Sequence, residues 1–185
     1  NAVLFRNGAH QVLEERIASG DWTLVAEEWV PEWDNQKALV LFEQILTAND
    51  GDVDAVLAAN DGIAAAVVSA LANQGYPPLP LTGQDATVGG CQLVLAGKQS
   101  MTVYKAIRKE AEAAAALAVA LVRGEDTAPL TNGTVNNGTS DIPAFLIEPL
   151  PVRKDNLAET VIADGFRTWE EICVGEFAAF CPGNR

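Results

Sequence analysis

The feature that most constrains the fold is a repeated alternation between short apolar runs and alanine-rich helical patterns. Apolar runs at residues 53–58 and 79–82 each lead into a polar corner and then into a helical pattern. Short continuous apolar runs are typical of strands that are buried on both faces of a parallel sheet. Because strand and helix patterns alternate in this way across residues 22–105, the sequence predicts an α/β fold with a parallel sheet.

Helix and strand boundaries follow from the apolar periodicity and from capping residues and glycines. The first predicted helix begins at Asn1 and ends at Gly20. The remaining predicted helices cover residues 35–48, 62–74, 86–96, 107–123 and 156–163, with Asp61 as the cap of the third, and the predicted strands cover 22–30, 53–58, 79–82 and 99–105. Two prolines in 145–152 favour an extended crossing segment or an edge, and the rest of the chain is expected to form a loosely packed tail.

Polar side chains mark the predicted carboxyl ends of successive strands. Asn60, Asp85 and Lys105 lie at three such ends, and Trp33 lies on the corresponding loop one unit earlier. Ligands of open parallel sheets bind at this edge. Amide and carboxylate groups suit hydroxyl groups, and an aromatic ring suits the apolar face of a sugar. The pattern therefore favours a site for a hydroxylated ligand, while the alternative that these residues only cap helices or fill the core stays open.

Charge and composition argue against several functions. The chain has 25 acidic and 12 basic residues, a net charge of −13, which disfavours binding to nucleic acid because that affinity rests on clustered Lys and Arg. The glycines at 83–90 fit neither a dinucleotide fingerprint nor a phosphate loop, so no cofactor is expected. With one histidine, His10, and neither a zinc spacing nor a nucleophile with its base, we predict no enzyme. The longest apolar run is too short for a membrane span of ~18 residues.

The three cysteines differ in their surroundings. Cys173 and Cys181 lie eight positions apart in the tail, a spacing that allows a small disulfide loop and with it an oxidising compartment. Cys91 follows the Asp85 corner and is expected to pack as a small apolar residue.

Six motifs carry a resemblance to a known family. They are WVPEW at 29–33, DAVLAAND at 54–61, GQDA at 83–86, MTVYK at 101–105, LTNGTVNNG at 130–138 and VIADGF at 161–166. In order and spacing they closely resemble the C-terminal part of bacterial xylose-binding proteins, which are type I periplasmic sugar-binding proteins of ATP-binding-cassette (ABC) importers. The resemblance implies a parallel-sheet, Rossmann-like lobe of such a protein, with a partial contribution to a second lobe.

The resemblance also implies roles for individual residues. Trp33 would stack on the sugar ring, Asn60, Asp85 and Lys105 would hydrogen-bond its hydroxyls, and Asn1 would match a further site asparagine. The implied ligand is xylose or a similar aldopyranose such as glucose. The implied partner is an ABC importer permease, and the implied full-length protein is a monomer in the periplasm or outside the cell, membrane-tethered if it is a lipoprotein.

The same resemblance divides the chain. Residues 1–105 would form the C-terminal sugar-binding lobe, 106–144 would belong to a mostly absent N-terminal lobe, and 145–185 would comprise a hinge crossing, a short helix and the tail. Because Asn1 opens directly into a helical pattern, we expect that an upstream segment has been removed. Two alternatives stay open: the sugar-effector domain of a transcriptional repressor, and a sugar receptor coupled to a membrane sensor kinase.

Overall fold

The computed structural model of the protein describes residues 1–183. It divides into two compact units. Unit 1 comprises Asn1–Val103 together with the segment from Pro151 onward, and unit 2 comprises Tyr104–Leu150. That residues 106–144 belong to a second lobe stays a prediction.

Helices dominate unit 1. They are α1 (Ala2–Ala18), α2 (Asn35–Ala48), α3 (Asp61–Gln74), α4 (Val88–Leu95) and α6 (Trp169–Ile172), with 3-10 helices at Pro31–Trp33 and Gly175–Phe180 and a π-helical turn at Ala158–Ile162. In unit 2, α5 (Ile107–Arg123) is followed by a 3-10 turn at Ala128–Leu130. No helix within residues 1–183 combines the length and the hydropathy needed to cross a membrane.

Local capping explains where these helices begin and end. Asp34 accepts hydrogen bonds from the N–H groups of Gln36 (2.8 Å) and Lys37 (3.2 Å) at the start of α2. The backbone hydrogen bond from Lys37, followed by that from Gln36, holds the pKa of the Asp34 carboxyl below its ordinary value. Gly75 ends α3 and Gly124 ends α5, both with positive φ, which glycine adopts without strain. The predicted helices at 35–48 and 107–123 are thereby confirmed to the residue.

The strands are shorter than the sequence predicts. They are β1 (Thr102–Tyr104), β2 (Gly133–Asn136), β3 (Asp141–Ala144) and β4 (Leu150–Val152). β1 pairs with β4, and β2 pairs antiparallel with β3 in the register Gly133 to Ala144. A single parallel bridge joins Val56 to Leu81. The predicted strands at 53–58 and 79–82 are therefore reduced to one bridge, and only three residues of 99–105 form a strand.

The predicted strand at 22–30 is wrong. Within residues 1–183, the backbone amides of 23–29 donate to no other backbone group, and Leu24 and Val25 are exposed. A strand requires a neighbouring backbone to accept and donate hydrogen bonds, and within 1–183, residues 23–29 have no such neighbour. It is tied instead to α1, because the Glu27 carboxylate accepts from Arg6 (2.5 Å) and contacts His10. The hydrogen bonds from His10 and then Arg6 lower the pKa of Glu27.

The core of unit 1 lies between α2 and α3. Phe42 and Leu46 of α2 pack with Ala64, Val67 and Leu71 of α3, and Leu81 from the bridged segment joins them. Alanines at buried positions of α3 let the helix approach its neighbours closely. This core fixes the N-terminal end of α3, where the candidate site lies.

The tail is better packed than we predict. A disulfide joins Cys173 to Cys181 with 6.0 Å between their Cα atoms. Ile172 is fully buried, and its carbonyl accepts a hydrogen bond from Gln92 Nε2 at 2.9 Å. The expectation of a loosely packed tail is therefore wrong, because α6 and the 3-10 helix at Gly175–Phe180 both pack on α4. Cys91 is free and buried, as predicted.

Candidate functional site

Asn60 forms the first corner of the candidate site. It is the N-cap of α3, and its Oδ1 accepts the Ile63 N–H at 2.8 Å. Within residues 1–183, its Nδ2 has no hydrogen-bond partner, and the side chain is half-buried. The amide is therefore oriented by its cap while keeping two donor protons for a ligand.

Asp61 has a different role from the helix cap that we predict. Asn60 is the cap, and Asp61 is buried with only 2% of its surface exposed. Its carboxylate accepts from the Thr87 N–H (2.9 Å), the Thr87 hydroxyl (3.1 Å) and Gln99 Nε2 (2.9 Å). A buried carboxylate needs such partners to offset its desolvation. Asp61 thus joins the start of α3 to the start of α4, a support that local sequence patterns do not reveal.

Asp85 forms the second corner, and its backbone is strained. Asp85 has φ 96° and the next residue, Ala86, has φ 45°, in a region that residues with a Cβ rarely adopt. The Asp85 N–H donates to the Val103 carbonyl at 2.8 Å. The Ala86 N–H donates to Thr102 Oγ1 at 3.1 Å, and the Ala86 carbonyl accepts from Arg167 Nε at 3.1 Å. Hydrogen bonds from surrounding groups therefore hold the backbone in a conformation that costs free energy. Such strained conformations occur most often at functional sites.

The two corners lie side by side. The Asp61 N–H donates to the Gln84 carbonyl at 2.9 Å, and Gln84 Nε2 donates to the Ala59 carbonyl at 3.3 Å. Each residue that makes these bonds is a direct neighbour of Asn60 or Asp85 in the chain. These two hydrogen bonds therefore hold the Asn60 and Asp85 corners of the chain next to each other.

Trp33 lies on the loop before α2. Glu32 and Trp33 both have positive φ, and the indole is 37% exposed. Its ring meets Phe5 of α1 edge-on, with 6.1 Å between centroids and 73° between planes. A Cβ added at Gly62 would lie 2.6 Å from the Asn35 side chain, so the start of α2 approaches the start of α3. The Trp33 ring is therefore partly packed against Phe5. Its loop is followed by α2, whose first residue lies close to the start of α3 and so to Asn60.

Asn1 and Lys105 are the two other predicted ligand-binding residues. Asn1 is exposed at the N-terminus of α1, and its side chain makes no capping hydrogen bond. Lys105 directly follows β1, belongs to unit 2 and is half-buried. Their ligand-binding roles stay predictions.

A cavity of about 350 Å³ lies next to the Asn60 corner in unit 1. Its lining comes from α3 and α4, including Asp61, from Thr87, and from Phe177 of the tail. None of the predicted ligand-binding residues lines it. The cavity therefore adjoins the start of α3, although the predicted ligand-binding residues do not form its wall.

Comparison with known proteins identifies the family. The sequence profile of the periplasmic binding protein domain matches residues 1–126. The D-xylose-binding periplasmic protein of Haemophilus influenzae is 44% identical over 173 residues, which cover 93% of this chain and 52% of that protein. Its Escherichia coli counterpart is 42% identical with the same coverage. The chain thus spans about half the length of the curated relatives that it matches.

Solved structures give the same result for the fold. A carbohydrate transporter solute-binding protein from Chloroflexus aurantiacus, in complex with D-glucose, superposes with a TM-score of 0.81 at 32% identity, covering 92% of this chain and 57% of that one. A solute-binding protein from Clostridium phytofermentans with bound β-D-glucose gives 0.78 at 27% identity, with coverages of 90% and 54%. The resemblance to xylose-binding proteins and the α/β, type I periplasmic binding protein fold are confirmed. The chain belongs to the periplasmic binding protein domain family.

Proposed function

We propose that this chain is the part of a solute-binding protein that holds one face of a monosaccharide. The ligand is xylose or a similar aldopyranose such as glucose, and the protein delivers it to an ABC importer permease without catalysis. The observation that carries the proposal is the pair of adjacent corners, Asn60 and Asp85, which present an amide and a carboxylate at one edge. Trp33 adds an aromatic face on the neighbouring loop.

The strained backbone at Asp85 supports this proposal. Helix capping does not require it, because Thr87 caps α4 by accepting the Gly90 N–H at 2.9 Å. A positive φ at a residue with a Cβ costs of order 1–3 kcal/mol and persists only when neighbouring groups impose it. Thr102 and Arg167 impose it here. We infer that the strain positions the Asp85 carboxylate for ligand hydroxyls.

The relatives support the proposed ligand class and the proposed periplasmic location. Two are named D-xylose-binding periplasmic proteins, and two solved neighbours hold glucose. Pentose and glucose pyranoses share ring hydroxyls and an apolar face, which the same amide, carboxylate and indole can bind. We propose a periplasmic location and a monomeric full-length protein. The contributions of Asn1 and Lys105 are part of the same proposal.

Calorimetric titration of the natural-length protein with a panel of aldoses tests the proposal. We expect saturable binding of xylose, glucose or a close stereoisomer. Absence of heat with every monosaccharide, in a protein shown to be folded by circular dichroism, would refute it.

A site variant sharpens the test. Asp85→Asn keeps the size of the side chain but removes the charged acceptor, so binding should weaken by about 1.5–3 kcal/mol. Asp54→Asn is the matched control, because Asp54 is an exposed carboxylate of the same unit. Equal affinities of the two variants for the sugar would show that the Asp85 carboxylate does not bind it.

A further inference from the structure

Unit 2 contains the same tripeptide twice in different surroundings. Asn-Gly-Thr occurs at 132–134, before and into β2, and again at 137–139, in the turn between β2 and β3. An asparagine followed by glycine can lose its side-chain amide, because a glycine N–H has no neighbouring Cβ to block its approach to the asparagine Cγ. The two tripeptides therefore allow the loss of the side-chain amide to be compared between two structural environments.

Asn137 is held in a geometry that favours this reaction. Its Oδ1 accepts the N–H groups of Thr139 and Ser140, both at 2.9 Å. Two donors on a carbonyl oxygen stabilise the negative charge that develops when a nucleophile attacks the carbon. The attacking atom is the Gly138 nitrogen, and its N–H donates to Asn136 Oδ1 at 2.8 Å, a single hydrogen bond that opens when the nitrogen loses its proton. Residues 136–140 are exposed, so water reaches the turn.

At Asn132, by contrast, both the oxygen and the nitrogen of the side-chain amide form hydrogen bonds. Its Nδ2 donates to the Leu146 carbonyl at 2.8 Å, and its Oδ1 accepts the Leu146 N–H at 2.6 Å. The leaving nitrogen is thereby engaged, and both hydrogen bonds must break before the side chain can turn toward Gly133. The same tripeptide is protected at this position.

We propose that Asn137 is a site of spontaneous deamidation, and that the fold selects it over Asn132. The Gly138 nitrogen attacks Cγ of Asn137, a bond forms between them, and the bond from Cγ to Nδ2 breaks. Nδ2 leaves as ammonia with the proton of the Gly138 amide, giving a five-membered succinimide. Water then opens either carbonyl of this ring, so the products are aspartate and isoaspartate, each with a new carboxylate.

Timed incubation of the full chain in mildly alkaline buffer tests the proposal. Tandem mass spectrometry of the peptide that spans both tripeptides separates the two sites, and isoaspartate methyltransferase labels the isomerised product. We expect Asn137 to react roughly tenfold faster than Asn132, or more, because Asn132 must first break two hydrogen bonds. Equal rates, or faster loss at Asn132, would overturn the proposal.

Two controls show whether the fold is responsible. In concentrated urea the two identical tripeptides should react at similar rates, and a preference for Asn137 that persists there would assign the effect to flanking sequence instead. Ser140→Pro removes one N–H donor to Asn137 Oδ1 and should slow Asn137 in the native chain while leaving Asn132 unchanged. A rate at Asn137 that does not fall would refute the role of the donors.

Discussion

Trp33 presents a partly exposed indole on a loop with positive φ at two successive residues. If it stacks on a sugar ring, Trp33→Ala should weaken monosaccharide binding by roughly 1–3 kcal/mol, from lost stacking and lost apolar burial. Titration calorimetry of the natural-length protein measures this change. Trp29→Ala is the matched control, since Trp29 is 52% exposed and lies four residues earlier. Unchanged affinity in Trp33→Ala would limit Trp33 to its contact with Phe5.

Cys91 makes the free energy of unfolding depend on pH, and the direction of that dependence follows from its pKa. Burial, and then the nearby charge of Asp61, raise the pKa of its thiol from 9.0 to about 12. Between these values the unfolded chain loses the proton while the folded chain keeps it, so the free energy of unfolding falls as pH rises from about 9 to about 12.

Urea unfolding at several pH values across this range tests the contribution of Cys91. Cys91→Ala removes the titrating group, and its stability should decline less steeply than that of the parent chain. All other groups are the same in the two proteins, so their contributions cancel in the comparison. Identical slopes would show that the thiol is accessible to water when folded.

Asp61 shows what a sequence leaves undetermined at the scale of one residue. A helix-capping pattern identifies Asn60 and Asp61 together, and either could serve as the cap. Only the fold brings Thr87 and Gln99, 26 and 38 positions away, to the Asp61 carboxylate. The candidate ligand residues could be named from their places after apolar runs, whereas the residues that support them could not.

At the scale of elements, the helices are predictable and the strands are not. Residues near in sequence decide where a helix begins and ends, as Asp34, Asn60, Gly75 and Gly124 do here. A strand depends on a partner that is distant in sequence. Residues 22–30 have the composition of a strand, yet the amides of 23–29 donate to no backbone acceptor within 1–183, so composition alone gives the wrong element.

The start of α4 provides a matched pair of substitutions. A Cβ added at Gly90 would lie 2.0 Å from Asp61 Oδ2, whereas one added at Gly89 would meet nothing within 4 Å. Asp61 cannot move aside without losing its hydrogen bonds to Thr87 and Gln99. Gly90→Ala should therefore destabilise the protein by about 1–3 kcal/mol, and Gly89→Ala should stabilise it by up to about 1 kcal/mol through helix propensity.

Denaturant unfolding of the two variants measures the difference, with circular dichroism as the probe. Both substitutions change helix propensity alike, so only the contact with Asp61 distinguishes them. A Gly90→Ala protein as stable as Gly89→Ala would mean that α4 can shift away from α3 without cost.

For the whole molecule, the hydrogen-bonding pattern predicts a wide range of local stability. The amides of α3 lie in the core of unit 1, where Ala64 and Ala70 are fully buried. In unit 2, α5 has one buried residue, Ala120, and Val122 is 90% exposed. Residues 23–29 donate to no backbone acceptor within 1–183. Local opening should cost most in α3 and least in 23–29, because buried contacts and backbone hydrogen bonds decrease in that order.

Hydrogen exchange of the full chain, followed by mass spectrometry, checks this order. Amides of 23–29 should exchange at nearly the rate of an unstructured peptide, those of α5 more slowly, and those of α3 only as the whole unit unfolds. Residues 53–59 are an internal control, since they are similarly apolar but the Val56 N–H donates to the Pro80 carbonyl at 2.9 Å. Protection at Val56 with none in 23–29 would show that pairing, and not apolar composition, determines which segments are stable. Strong protection of 23–29 would instead require a backbone partner for this segment, such as a second copy of the chain, and dilution during labelling would then remove it.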